Sequence, residues 1–129
     1  MMKNRKFRVV IVDNNLEWRK TLSLFFAALT DVDVEVVGMV PNGRYALAFC
    51  QQARPDLVVL NINLSDMDGV QTAQELIEWD PTLWIIGVTS DVKPASPQLV
   101  KESGIKAIIP KDMLLDYVPF KRFHRNMSA

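Results

Sequence analysis

Short apolar runs separated by longer amphipathic stretches dominate the pattern of this chain. The runs are rich in β-branched residues and too short for helices, which is typical of strands that are buried on both faces. The clearest of them, at residues 57–60, is followed by the polar residue Asn61. The pattern predicts five strands, at residues 7–12, 33–40, 57–60, 83–88 and 105–109.

The stretches between the predicted strands have the spacing of helices. In the first of them one face collects the large apolar residues Trp18, Leu22, Phe25, Phe26 and Leu29. Asn14 is predicted to cap this helix, with Glu17 completing something close to a capping box. Further helices are predicted at residues 43–53, at about 70–79, over a short stretch from about Pro97 to a stop at Gly104, and from Asp112 onward.

The alternation of strands and helices predicts one doubly wound α/β domain with a parallel sheet. In such a sheet the carboxyl ends of the strands lie along one edge, where ligands bind. Polar residues follow four of the predicted strands at once or after a single residue, and we expect them to form one site: Asp13 and Asn14, Asn61, Thr89 and Ser90, and Lys111.

Composition and charge narrow the classes of function. The 15 Lys and Arg residues balance 15 Asp and Glu residues, so no net charge favours nucleic acid or an acidic membrane surface. The single cysteine, Cys50, suits a reducing compartment, and the first apolar run is too short for a signal peptide, so we expect a cytoplasmic protein. The chain contains neither a phosphate-binding glycine loop nor a nucleophile elbow, and we expect no independent enzyme.

The surroundings of Asn61 resemble the receiver domain of two-component response regulators. The likeness is carried by Pro55 to Gly69, by Val37-Gly38 with Asn42-Gly43 and Ala46-Leu47, and by Gly104 followed seven residues later by Lys111. It covers about residues 7–118, between a basic extension at 1–6 and a basic tail at 119–129. Because Lys111 precedes Asp112, the chain most resembles receivers that usually carry a helix-turn-helix output domain. The resemblance implies a flavodoxin-like (βα)5 fold with strand order 2-1-3-4-5.

The resemblance also implies a set of site residues. These are an acidic pair after the first strand that binds Mg²⁺, a phosphate-accepting aspartate after the third, a phosphate-contacting hydroxyl after the fourth, an aromatic residue in the fifth and a lysine after it. The chain keeps three of these positions, at Asp13, Thr89 and Lys111. It departs at three others, with Asn14 in the acidic pair, Asn61 at the acceptor position and Ile108 at the aromatic position.

The three departures change the expected chemistry. A carboxamide is a poor nucleophile, so Asn61 is not expected to form the acyl phosphate that an aspartate forms. Mg²⁺ usually takes one or two carboxylates, and only Asp13 remains in the implied set. We therefore expect Asp13 to pair with Lys111 in a polar pocket that binds no Mg²⁺ and no other cofactor.

These expectations favour a receiver-like domain that has lost phosphorylation and binds a protein partner through its fourth helix, fifth strand and fifth helix. The candidate partners are a histidine kinase or an output domain of the same chain, and a homodimer is left open. One alternative is phosphorylation of Asp13 or Ser90, and another is a small-molecule sensor that uses the vacated pocket. The chain is expected to be either a stand-alone protein or the N-terminal module of a longer one, and the subgroup resemblance favours the module.

Overall fold

A computed structural model describes residues 6–29, 33–64, 68–90 and 97–116 of the chain. Within these ranges the strands are β1 (Phe7–Val12), β2 (Val34–Val40), β3 (Leu57–Asn61), β4 (Trp84–Thr89) and β5 (Ala107–Pro110). The α-helices are α1 (Leu16–Ala27), α2 (Ala46–Ala53), α3 (Gly69–Trp79) and α4 (Pro97–Ser103), and a 3₁₀ helix, η1, covers Lys111–Asp116. None of the helices in these ranges is long and apolar enough to span a membrane.

The five strands form one parallel sheet in the order β2-β1-β3-β4-β5. This confirms the doubly wound, flavodoxin-like fold that the sequence predicts. The strand order reverses between β1 and β3, and such a reversal opens a crevice at the carboxyl ends of the two strands. Val12 pairs with Leu60, and Asn61 pairs with Val88, so the residues that end β1, β3 and β4 lie side by side.

The central strand β3 is buried on both faces, as its apolar run predicts. Leu57 and Val59 belong to a core cluster with Leu22 of α1. Val58 and Leu60 belong to a second cluster, on the side of α2 and α3. Because side chains alternate along a strand, two helical layers rather than one are needed to cover these residues.

Helix α3 begins in direct contact with the end of β3. A Cβ atom added to Gly69 would lie 2.4 Å from the Cα of Ile62 and 2.7 Å from the carbonyl oxygen of Asn61. No real side chain fits there, so the glycine allows the helix to start against the strand end. The Asp68 carboxylate caps the helix by accepting a hydrogen bond from the backbone N–H of Val70 at 2.9 Å.

The prediction that Asn14 caps α1 is wrong. The cap is Asn15, whose side-chain oxygen accepts a hydrogen bond from the backbone N–H of Trp18 at 2.9 Å, while Asn14 is exposed. The Asp13 carboxylate accepts a hydrogen bond from the backbone N–H of Asn15 at 2.8 Å. The helix is therefore capped one residue later than the sequence predicts.

Three other elements also differ from their predicted bounds. β5 begins at Ala107 rather than at residue 105, and α2 begins at Ala46 rather than at residue 43. The last helix starts at Lys111, one residue before its predicted start, and is a 3₁₀ helix over the described residues. The rest of that predicted helix, at 117–118, lies outside the described ranges. The short fourth helix is confirmed, and Gly104 follows it with the positive φ of 81° that a helix stop requires.

Candidate functional site

The polar strand ends gather where the sequence places them. Asp13 follows β1, Asn61 ends β3, Thr89 ends β4, and Lys111 follows β5 as the first residue of η1. Asp13 is 1% exposed, and Asn61 and Thr89 are each 5% exposed. Burial this deep requires each polar group to find a partner inside the protein.

The Asp13 carboxylate has one partner for each oxygen. Oδ1 accepts the hydrogen bond from the backbone N–H of Asn15, and Oδ2 lies 3.3 Å from Nζ of Lys111. Oδ2 accepts no hydrogen bond from the described residues, so the contact with the ammonium is an ion pair. The Asp13 backbone is fixed as well, because its N–H donates to the carbonyl of Val40 and its carbonyl accepts from the Arg19 guanidinium.

The ammonium of Lys111 also faces an aromatic ring. Nζ lies 5.3 Å from the ring centroid of Trp18, within the range of a cation–π interaction. The sequence pattern assigns Trp18 to the core face of α1, and the residue does pack against the core. Its second role at the site was missed, since helical periodicity identifies a buried face and not the cation beside it.

Two asparagines connect the ends of β3 and β4. The side-chain oxygen of Asn61 accepts a hydrogen bond from the backbone N–H of Asn63 at 2.8 Å. The side-chain oxygen of Asn63 accepts from the Thr89 hydroxyl at 2.8 Å and from the backbone N–H of Ser90 at 3.4 Å. Asn63 was also missed by the sequence reasoning, although its spacing of two residues from Asn61 could have indicated it.

This arrangement of strand ends can be compared with known proteins. The family model of the response regulator receiver domain matches residues 9–118. The chain belongs to the response regulator receiver family. The resemblance read from the sequence is thereby confirmed.

Relatives of this receiver domain include regulators of greater length. It is 37% identical over 107 residues to a Bacillus subtilis protein described as the uncharacterized transcriptional regulatory protein YhcZ, covering 81% of this chain and 48% of that protein. It is 28% identical over 104 residues to the response regulator protein VraR of Staphylococcus epidermidis, covering 81% of this chain and 49% of VraR. The chain thus spans about half the length of these two curated relatives.

Solved structures share the fold of this receiver domain. The signal receiver domain of the putative response regulator NarL from Mycobacterium tuberculosis superposes with a TM-score of 0.81 at 21% identity, covering 97% of this chain and 99% of that chain. A LuxR-family two-component response regulator from Aurantimonas superposes with a TM-score of 0.82 at 17% identity, covering 95% and 87%. At these identities the likeness concerns the fold alone.

Three further predicted site residues of the receiver domain lie apart from the buried group. Asn14 and Ser90 are exposed. Ile108 is half-buried in β5, where it packs against the core cluster on the side of α2 and α3. The site therefore has a buried part, which is Asp13, Asn61 and Thr89, flanked by the half-buried Lys111 and Trp18 and by the exposed Asn63.

The side-chain oxygen atoms that could bind a metal at the receiver site already have partners within the chain. Both oxygens of Asp13 face donors of this chain, and the side-chain oxygens of Asn61 and Asn63 accept from backbone or hydroxyl groups. Among the residues that the structure describes, no three His, Cys, Asp or Glu side chains form a group that could hold a metal ion. Among the strand-end residues one carboxylate faces one ammonium, and the Arg19 guanidinium lies at the backbone carbonyl of the same Asp13.

Proposed function

We propose that this receiver domain signals without phosphorylation, by binding a protein partner. The observation that carries the proposal is the ion pair between Asp13 and Lys111 beside an amide at position 61. In this pair the charge of the remaining carboxylate is balanced by a cation of the chain itself. The site therefore needs neither a metal nor a phosphoryl group to be electrostatically satisfied.

Position 61 carries an amide, which is a poor nucleophile. The nitrogen lone pair of a carboxamide is delocalised and its oxygen carries no full charge, so Asn61 is not activated to attack a phosphoryl group. The same oxygen accepts the hydrogen bond from the N–H of Asn63, which occupies one of its two lone pairs. Both features favour loss of the acyl phosphate step.

The site is also a poor match for Mg²⁺. This ion is bound through hard, preferably anionic oxygen atoms in near-octahedral geometry. Asp13 offers one carboxylate, and its Oδ2 faces an ammonium at 3.3 Å. At an effective dielectric constant near 20, this contact supplies up to about 5 kcal/mol of Coulomb energy before desolvation is subtracted. We infer that these donors do not fit Mg²⁺, because the ion would have to displace Lys111 while gaining only one carboxylate.

Binding of a protein partner requires an accessible surface. The proposed surface consists of α4, β5 and η1, which follow one another at the edge of the sheet. It presents charged groups at Lys101, Glu102 and Lys106, and an apolar side chain at Met113, which is 59% exposed. A mixed surface of this kind suits a protein partner more than nucleic acid. A histidine kinase, an output domain of the same protein and a second copy of this chain are the candidates.

Mass spectrometry of the intact protein tests the proposal. The chain is incubated with acetyl phosphate and Mg²⁺, and a phosphorylatable receiver domain is treated in parallel as the control. We expect no added phosphoryl mass on this chain and an acid-stable, base-labile adduct on the control. A phosphoryl adduct on this chain, at Asn61 or any neighbouring residue, would overturn the proposal.

Ser90 is the one alternative acceptor that a structural observation favours, since its side chain is exposed directly after β4. Asp13, by contrast, is 1% exposed and already paired. A serine phosphate ester withstands mild base, unlike an acyl phosphate, so the stability and position of any adduct would separate the two alternatives. Replacing Ser90 with Ala would remove the adduct if this second function were correct.

A further inference from the structure

Asn63 bridges two strand ends that are distant in sequence. Its side-chain oxygen receives the hydroxyl of Thr89, 26 positions along the chain, at 2.8 Å, and the backbone N–H of Ser90 at 3.4 Å. Its own backbone N–H is held at 2.8 Å by the side chain of Asn61. The ends of β3 and β4 are therefore joined through the two asparagines.

We propose that Asn63 is a positioning residue that holds the carboxyl end of β4 in one conformation in the absence of any external ligand. The inference rests on the proposed function and deepens it, because a domain that binds its partner without phosphorylation needs a strand end that is already set. Asn63 supplies the acceptor from within the chain.

The number of hydrogen bonds that the Thr89 hydroxyl can donate supports this role. A hydroxyl has a single hydrogen to donate, and Thr89 donates it to Asn63. In this conformation the same hydroxyl has no hydrogen left for a phosphoryl oxygen. Thr89 is 5% exposed, so the hydroxyl cannot exchange this partner for bulk water without moving the side chain.

The position of Asn63 explains why it can act on both residues. The Asx turn closed by Asn61 brings the Asn63 side chain beside β4, and the single acceptor then reaches two donors in consecutive residues. One donor belongs to a side chain and the other to the backbone. The bridge therefore restricts the χ1 rotamer of Thr89 and the path of the chain at Ser90 together.

NMR of the full chain, without Mg²⁺ or any phosphoryl donor, tests the inference. In Asn63→Ala the Thr89 methyl couplings should change from those of one χ1 rotamer to averaged values. Exchange of the Ser90 amide hydrogen should accelerate about threefold to tenfold, the size expected for losing one net hydrogen bond. Asn63→Asp keeps an acceptor oxygen and should restore both signals.

Two further variants make the result specific. Thr89→Val removes the hydroxyl from the other end of the bridge and, combined with Asn63→Ala, should add nothing to the Ser90 effect. Asn42→Ala removes a comparable asparagine turn, in which Asn42 accepts from the backbone N–H of Tyr45 at 3.3 Å, and should leave Thr89 and Ser90 unchanged.

An unchanged Thr89 rotamer in Asn63→Ala would overturn the inference, and so would equal effects of Asn63→Ala and Asn42→Ala. If Asn63→Ala fails to fold, the comparison of Thr89→Val with Thr89→Ser, which keeps the hydroxyl, decides by the Ser90 exchange rate. These outcomes do not depend on phosphorylation. The NMR experiment can therefore contradict the positioning role of Asn63 while mass spectrometry still supports the proposed function. Equally, mass spectrometry can contradict the proposed function while the NMR experiment supports the positioning role.

Discussion

Lys111 lies between an anion and an aromatic ring at the edge of the core. Its side chain is 24% exposed, whereas that of Asp13 is 2% exposed. The pair is thus asymmetric, with the carboxylate inside the protein and the ammonium near the surface. Removing the ammonium would leave a buried charge without compensation, which costs more than the pair itself contributes.

Replacing Lys111 with Met should therefore lower the free energy of unfolding by roughly 1–3 kcal/mol, somewhat less than for a fully buried pair because Lys111 reaches solvent. Urea denaturation measures the change. Lys101→Met, at an exposed position of α4, is the matched control and should have little effect. Adding Asp13→Asn to Lys111→Met should recover part of the loss, and a double variant that is less stable by the full sum of both changes would contradict the pairing.

The start of α1 shows how one hydrogen bond sets the bounds of a helix. Asn14 and Asn15 are chemically identical neighbours, and it is Asn15 that caps the helix, with the extended backbone of a cap residue at φ −98° and ψ 113°. Its side chain reaches the N–H of Trp18, the residue whose ring faces Lys111. The cap and the site therefore share the first turn of the helix.

Replacing Asn15 with Ala should lower the free energy of unfolding by about 1 kcal/mol, the usual contribution of an N-cap. Asn14→Ala is the matched control, one residue away and exposed, and should change it by less than about 0.5 kcal/mol. Thermal or urea unfolding of the two variants gives the comparison. Equal losses from both variants would contradict the assignment of the cap.

Helix α2 carries the single cysteine into the core. Cys50 is fully buried, and desolvation raises the pKa of its thiol from 9.0 to about 12. The thiol therefore remains protonated in the folded chain at pH values where the unfolded chain forms a thiolate. A folded-state pKa above the unfolded value means that stability is lost as the pH rises above about 9.

Between pH 9 and 11 the wild-type chain should lose more stability than Cys50→Ala, with the difference growing by up to about 1.4 kcal/mol per pH unit. Urea unfolding of both chains across this range isolates the thiol, because all other titrating groups are shared. A difference that does not change with pH would mean that the thiol ionises as readily in the folded chain as in the unfolded one.

At the scale of the whole molecule, the chain has the receiver fold, and at the carboxyl edge of its sheet one strand-end carboxylate faces one ammonium. Asp13, Asn61 and Thr89 lie at the carboxyl ends of three neighbouring strands. Carboxylates at positions 14 and 61 would change the count from one carboxylate and one ammonium to three and one, a change in formal charge from zero to −2. The domain should therefore bind Mg²⁺ once carboxylates are introduced at positions 14 and 61.

The double variant Asn14→Asp with Asn61→Asp should bind Mg²⁺, and the wild-type chain should not, because divalent ions need the added anionic oxygens. Tryptophan fluorescence reports the binding, since the ring of Trp18 lies 5.3 Å from Nζ of Lys111. Asn42→Asp, which adds a charge in the turn after β2, is the control and should not respond. A saturable Mg²⁺ response of the wild-type chain would contradict the proposed loss of metal binding.

The sequence alone determined the fold and the position of the site. Buried parallel strands are local apolar runs, and the residue after each run must lie at the carboxyl edge of the sheet, so the positions of Asp13, Asn61, Thr89 and Lys111 could be inferred without coordinates. The pairing of Asp13 with Lys111 also followed, because two opposite charges buried at one edge have few other partners.

Only the tertiary structure decided which neighbours these residues contact. The bond from Thr89 to Asn63, and the place of the Trp18 ring beside Lys111, depend on how loops and helices from distant parts of the chain meet. The cap at Asn15, whose backbone N–H also donates to the Asp13 carboxylate, likewise became visible only in the structure. The periodicity of apolar residues in the sequence indicates which side of a helix or strand is buried. Hydrogen bonds depend on differences of a few tenths of an ångström, and these distances are determined only when the elements pack together.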